Sequence, residues 1–241
     1  MKKVALVTGG TKGIGKGITL SLLDKGYQVI ATYAADSESA SAFHASVGEL
    51  NENLHVFQCN QSSKEELYKL IGFVKEFTSH LDCLVCNAGS TVRKDFLQMT
   101  DEDWQSVMEV SVNSNFTLVR EFYPIIPEVS RIVFIGSLMG VHPHATSLVY
   151  GVSKSAVHAL ALNLVKVFEH SNTTVNVIVP GFVETEWQKE KPAHIRENIY
   201  KKTAVGRFAE VNEIVSAFDF CLSNGFVNGA LLEVSGGYSY K

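Results

Sequence analysis

The sequence predicts a doubly wound α/β fold, a parallel sheet of about seven strands with helices on both faces. Two observations carry this. Short apolar, β-branched runs alternate with longer amphipathic stretches along all 241 residues, the pattern of strands joined by helical crossovers. The runs are apolar almost without interruption rather than at every second position, as strands buried on both faces require. No repeat or low-complexity linker breaks the pattern. The reading is one domain over 1–241, large enough to bury roughly three quarters of its unfolded surface.

Val4–Thr8 is the first expected strand, with a helix near 14–25. Gln28–Tyr33 and a helix near 37–50 follow, then Leu54–Cys59 and a helix near 63–78. Leu81–Cys86 precedes a long helical stretch at 101–123, and Arg131–Gly136 leads to another at 147–169. After Thr174–Val179 and Pro180-Gly181 comes 184–203, polar and containing Pro192. Ligands bind at the carboxyl ends of strands in such sheets. This stretch is therefore expected to be a mobile lid, with a plain surface excursion as the alternative. A helix near 210–222 and the strand Leu231–Val234 complete the set.

Composition narrows the function classes. The net charge of −4 gives no reason to expect nucleic acid or an anionic membrane as partner. No run of about 18 apolar residues is evident, and the apolar opening stops at Thr8-Gly9-Gly10, too short for a signal peptide. The expected location is the cytoplasm. Cys83 and Cys86 form a CxxC, but on a strand residues three apart face opposite sides, so both are expected in the core, not in a redox or zinc site.

Thr8-Gly9-Gly10-Thr11-Lys12-Gly13-Ile14-Gly15 follows the first strand and opens the first helix. Glycine allows the backbone to approach a pyrophosphate closely, and the helix N-terminus favours its charge. The loop lacks the G-K-[ST] of a nucleoside-triphosphate site, so a dinucleotide is preferred. An acid ending the second strand would repel a 2′-phosphate; here that strand ends at Tyr33-Ala34-Ala35 and the first acid is Asp36. Lys12 can meet a 2′-phosphate as a point charge, although a merely solvated loop lysine is the plainer account. NADP is the expected cofactor and NAD the alternative.

Tyr150-Gly151-Val152-Ser153-Lys154 opens the helix at 147–169, and Tyr and Lys at i and i+4 share a face. An ammonium beside a phenol is expected to lower its pKa from about 10 toward neutrality, suiting proton transfer. Ser137 ends the fifth strand on the same sheet edge as the glycine loop. Its hydroxyl can hydrogen-bond a substrate oxygen as charge develops, or simply cap a turn.

Thr8–Gly15, Asn87-Ala88-Gly89, Ser137, Tyr150-x-x-x-Lys154 and Pro180-Gly181 stand in the order and spacing of the short-chain dehydrogenase/reductase family, which the whole chain resembles. Leu231–Gly237 resembles that family's last strand and terminal Gly-Gly. Pro180–Thr185 and Gly206-Arg207-Phe208 are most similar to the 3-oxoacyl-[acyl-carrier-protein] reductases. The resemblance implies a Rossmann-type sheet and an NADP-dependent reduction of a carbonyl. Tyr150 would be the general acid in reduction and the base in oxidation. Lys154 would hold the nicotinamide ribose and tune Tyr150, and Ser137 would orient the carbonyl. Asn87-Ala88-Gly89 would flank the cofactor, Asn60-Gln61 would lie against adenine, and Pro180, Gly181, Val183 and Thr185 would run along it, Val183 at the carboxamide. Helices like 101–123 and 147–169 form a tetramer in this family.

Two departures from the family pattern stand out. The asparagine that supports a proton-relaying water falls at Ser111, with Asn113 about 200° around the helix and Asn115 nearby. Either Ser111 holds the water or a local shift brings in an asparagine. The arginines that meet an acyl carrier protein are missing from 124–130 and 169–173, which carry Glu128 and Glu169. Arg93, Lys94 and Lys189 can substitute, and a free ketone, a sugar or a coenzyme A thioester becomes an alternative substrate. A catalytically silent NADP-binding sensor is the rival from another class. His142-Pro143-His144 is read as an ordinary loop or a substrate contact, with no metal site expected. Trp104 is read as packed within its helix, and Trp187 is left between lid surface and site.

Overall fold

The protein is described by a computed structural model covering residues 2–143, 147–189 and 191–238, with the backbone alone at 49–51. Seven parallel strands form one sheet: β1 (Val4–Val7), β2 (Gln28–Tyr33), β3 (Leu54–Gln58), β4 (Cys83–Cys86), β5 (Arg131–Ile135), β6 (Thr174–Pro180) and β7 (Leu231–Val234), in the order β3-β2-β1-β4-β5-β6-β7. The order reverses between β1 and β4, where the carboxyl ends of neighbouring strands open a crevice.

One face of the sheet buries Leu6, Leu84, Phe134 and Val177 under α3 (Lys64–Phe77), α5 (Ser114–Phe122) and α6 (Leu148–Val167). The other buries Val7, Val29, Val85 and Ile178 under α1 (Gly13–Asp24), α2 (Ser37–Ser46) and α9 (Val211–Ser223). Cys86 belongs to the first layer and Cys83 to the second. Burial pushes the Cys83 thiol up to about 12 and that of Cys86 higher still. The CxxC is core, as strand alternation predicts.

The helix expected at 37–50 stops at Ser46. Gly48 takes φ +57° and starts a separate 3₁₀ turn, Gly48–Asn53, the left-handed break that glycine favours after a helix. The stretch 101–123 is not one helix either. It is α4 (Asp101–Met108) and α5, joined by a π turn at Glu109–Asn113. Ser114 Oγ donates to Val110 O at 2.7 Å and Asn115 Nδ2 to Ser111 O at 2.7 Å. Such back-bonding competes with the regular ladder. Trp104 is 39% exposed rather than packed. Contrary to the hydropathy expectation, α6 is long and apolar enough to pass as a membrane span. It lies on the sheet, with Val149, Val157, Ala161 and Leu164 in the core.

Candidate active site

The glycine loop is built by close approach. Gly9 and Gly13 have φ of +61° and +50°. Gly15 packs so tightly that a Cβ would stand 2.1 Å from Gly9 O and 2.6 Å from Asn87 Nδ2. Asn87 braces the loop by donating to Thr8 O at 2.8 Å and Gly9 O at 3.1 Å. From β2, Thr32 Oγ1 accepts from Gly9 N. Among the described residues no side chain caps α1, and its first turn contains no acid. Its leading N–H groups therefore stay open to an anion, and Lys12, Gly13 and Ile14 line the crevice there.

At the other end, Ser137 follows β5 and caps a 3₁₀ turn, its Oγ accepting from Met139 N at 3.2 Å. Tyr150 sits in the first turn of α6, with its hydroxyl near enough to Ser137 for that side chain to act on its titration. Lys154 is buried, with Nζ donating to Ile135 O at 2.7 Å and standing 5.7 Å from the Tyr150 ring centroid. The three side chains meet as their positions predict. The phenol pKa does not follow the expectation: burial raises it, and the Ser137 hydrogen bond and the charge of Arg93 only partly oppose this. Lys154 is itself a costly buried cation, lowered to about 8 by desolvation. Tyr150 is therefore a neutral acid here, not a phenolate.

His158 continues the Tyr150, Lys154 series at four-residue spacing, a signal that the sequence carries in plain view. Its Nε2 accepts from Ser137 N at 3.4 Å, and its ring fills the space left by Gly136 and Gly140, where a Cβ would come within 2.3 and 2.7 Å of it. Burial, aided by the Lys154 charge, lowers His158 to about 4. Because the folded value lies below the unfolded 6.5, this contribution to stability is present above pH 6.5 and is lost as pH falls toward 4. The shift of 6.5 − 4 corresponds to roughly 3 kcal/mol. The acid limb of a urea-monitored stability profile is expected to flatten by that order in His158→Gln; an unchanged limb would refute it.

A cleft of about 540 Å³ joins the two ends, within the size range of small-molecule sites. Gly9, Lys12, Gly13, Ile14, Tyr33, Asn60, Gln61, Asn87, Ala88 and Gly89 line one side, and Ser137, Tyr150, Lys154, Pro180, Gly181, Val183 and Thr185 the other. Three expected residues lie off its wall: Thr11 is buried, Gly15 supports the loop from beneath, and Ser111 is fully buried within the π turn. The π turn brings Asn115, not Asn113, beside Ser111. Asn113 is exposed and donates to Glu109. Ser111 Oγ and Asn115 Oδ1 are buried without partners among the described residues. Gln61 is turned from the open cleft toward α5, donating to Ser114 Oγ at 2.8 Å. Lys12 is not simply solvated: it pairs with Asp36, which also caps α2 and is held down at about 2.

The 184–203 stretch forms α7 (Glu186–Lys189) and α8 (Ala193–Lys202), with Glu186, Trp187, Gln188 and Lys191 on the cleft. Arg196 ties it down through Glu184 and lies 4.5 Å over the Phe208 ring. Trp187 faces the site, its ring centroid 6.4 Å from that of Tyr150. His142 lines the cleft, while His144 falls outside the described residues. Among the described residues no group of His, Cys, Asp and Glu is placed to hold a metal.

Comparison with known proteins agrees with this geometry. Residues 3–196 match the family model described as short chain dehydrogenase. The chain is 32% identical to the 2-dehydro-3-deoxy-D-gluconate 5-dehydrogenase of Pseudoalteromonas atlantica, covering 98% of this chain and 95% of the relative. It is 31% identical to the 3-oxoacyl-[acyl-carrier-protein] reductase of Haemophilus influenzae, covering 98% and 97%. A crystal structure of a short chain dehydrogenase from Burkholderia cenocepacia in complex with NADP superposes with a TM-score of 0.91 at 26% identity, covering 98% and 97%.

Proposed function

The chain belongs to the short-chain dehydrogenases, and from that premise we propose that it is an NADPH-dependent reductase of a carbonyl to a hydroxyl. The observation that carries the reading is the convergence of Ser137, Tyr150 and Lys154 at one end of a cleft whose other end is an open helix N-terminus. The cradle fits a dinucleotide: the Gly15 contact leaves no room for a side chain in the loop, and the uncapped α1 suits a pyrophosphate. Gly9 to Gly15, with Thr11 shaping the loop, would hold the phosphates. Tyr33 and Asn60-Gln61 would border the adenosine, Lys12 would meet the 2′-phosphate, and Ala88-Gly89 with Pro180, Gly181, Val183 and Thr185 would border the nicotinamide half.

When bound, the reduced nicotinamide supplies a hydride to the carbonyl carbon. Tyr150, a neutral phenol whose pKa desolvation raises further, gives its Oη proton to the carbonyl oxygen. Ser137 Oγ, already fixed by Met139 N, donates a hydrogen bond to the same oxygen. Lys154 lies 3.5 Å from where a Gly89 Cβ would be, so its ammonium can turn from Ile135 O toward ribose hydroxyls. Proton resupply would pass through a water held by Ser111. The partnerless Ser111 Oγ and Asn115 Oδ1 support this, since buried polar atoms are ordinarily satisfied, often by internal water.

The substrate is a 3-oxoacyl thioester, on a carrier protein or coenzyme A, or a free ketone or sugar; the two named relatives point to different members of this set. Lys94 and Lys189, two candidate carrier contacts, are already paired with Asp103 and Glu186, which favours a small ketone. The reading extends to a cytoplasmic homotetramer built through α4, α5 and α6, supported by exposed Trp104, Phe116, Val152 and Leu162, and to the lid closing over substrate.

The test is NADPH and NADH oxidation with acetoacetyl thioesters, small diketones and keto-sugars. Turnover is expected with NADPH preferred, and the preference is expected to fall about tenfold in Lys12→Ala, the size of one exposed-to-half-buried charge contact. Cofactor binding with no turnover on any carbonyl would favour the silent sensor instead.

A further inference from the structure

We infer that the cleft takes a carbonyl substrate bearing a carboxylate, gripped by Arg93 and Lys191 beside Tyr150. This rests on the reductase reading and narrows its substrate. The protein as a whole is acidic, at −4, yet the reactive end of the cleft gathers cations: Arg93 from the loop after β4, Lys154 from α6 and Lys191 from the lid all line it.

The distribution of partners sets two of these apart. Lys94 pairs with Asp103 at 2.6 Å, Lys189 with Glu186 at 3.8 Å, and Arg196 with Glu184. Lys154 is committed to Ile135 O. Arg93 and Lys191 have no carboxylate within ion-pair distance among the described residues. Lys94, Lys189 and Arg196, near them in sequence, are neutralised, while Arg93 and Lys191 on the cleft wall are not.

These two charges are close enough to act on each other and on the reaction. Desolvation first, then Arg93 and Arg196, lower the Lys191 pKa, and Arg93 lowers that of Tyr150. Two like charges in a partly enclosed cleft repel, and an anion placed between them removes the repulsion. The exposed Arg93 guanidinium and the half-buried Lys191 ammonium line the same cleft, and a fork together with a point charge suits a carboxylate. The open N-terminus of α1 and Lys12 form a separate anion site at the cofactor end, so this pair is left for the substrate. Its nearness to Tyr150 places the carboxylate on the same small molecule as the carbonyl.

The experiment compares pyruvate, acetoacetate and levulinate with their methyl esters, using NADPH and the wild type, Arg93→Ala, Lys191→Ala and the double variant. At least one acid is expected to exceed its ester in kcat/KM by tenfold or more. That ratio is expected to fall at least tenfold in the double variant and to be partly kept in Arg93→Lys. Esters used as well as acids, or a ratio unchanged in the double variant, would overturn the inference and leave the reductase standing. If no compound turns over, the reductase reading is in difficulty and thermal protection decides the anion site. Succinate should then raise the melting temperature of NADP-loaded wild type and not of the double variant; no protection of the wild type overturns the inference.

Discussion

Replacing Tyr150 with phenylalanine is expected to lower kcat by about 10³-fold or more while changing NADPH affinity by no more than about threefold. The change deletes one oxygen and keeps the ring, which the start of α6 and Trp187 hold in place. Proton donation by a positioned group contributes roughly 10² to 10⁴ in rate, and in the proposed reaction Tyr150 Oη, beside Ser137, is that group. The Ser137 hydroxyl remains in the variant but loses its partner, so the polarising group is loosened along with the acid. Lys154 is untouched by the change and keeps its reach from Ile135 O toward the ribose, which is why binding is spared. Steady-state turnover and NADPH fluorescence titration measure the two quantities. Turnover within tenfold of wild type would remove Tyr150 from the chemistry.

The second large effect is at Gly15. In Gly15→Val the added carbon would have to occupy space 2.1 Å from Gly9 O, a backbone atom that Asn87 also holds. Neither neighbour is a flexible tip, so the loop itself must move. The expected loss of NADPH affinity is about 100-fold, equivalent to roughly 3 kcal/mol, and the melting temperature falls by several degrees, as for overpacked sites. Gly72 is the matched control. It lies within α3, where an added methyl group would meet nothing within 4 Å, and Gly72→Ala should raise stability by up to about 1 kcal/mol through helix propensity. Equal cofactor binding in wild type and Gly15→Val would mean the loop is not the phosphate cradle.

Most of the seven strands were legible because they are runs buried on both faces, and the marginal β3 and β7, only partly buried, because they are short apolar runs between helices; the strand order has no such signal and came from the structure. The meeting of Ser137 with Tyr150 was legible because one ends a strand and the other opens the next helix. What escaped depends on side chains choosing partners across the fold. The π turn at Glu109–Asn113 comes from serine and asparagine side chains bonding backbone one turn back, which hydrophobic periodicity does not encode. Lys12 and Asp36 look unrelated along the chain, yet they form one ion pair, because the β1 and β2 ends lie side by side. The Tyr150 pKa moved opposite to expectation because spacing reveals the nearby ammonium but not the burial that outweighs it. Trp187 is placed on the cleft by the path of the 184–203 stretch, which hydrophobic periodicity does not encode.

The place of β1 in the sheet also bears on synthesis. It is the first strand made, yet it lies between β2 and β4, and its second edge stays open until residues 83–86 leave the ribosome. The last pairing forms latest of all, since β6 waits at the far margin for β7, about fifty residues on. Nearly every pairing past β3 therefore waits on distant chain, a topology that folds slowly and exposes unpaired apolar edges meanwhile. A chaperone that shields such edges would be of most use while the stretch from β1 to β4, residues 4–86, is being translated.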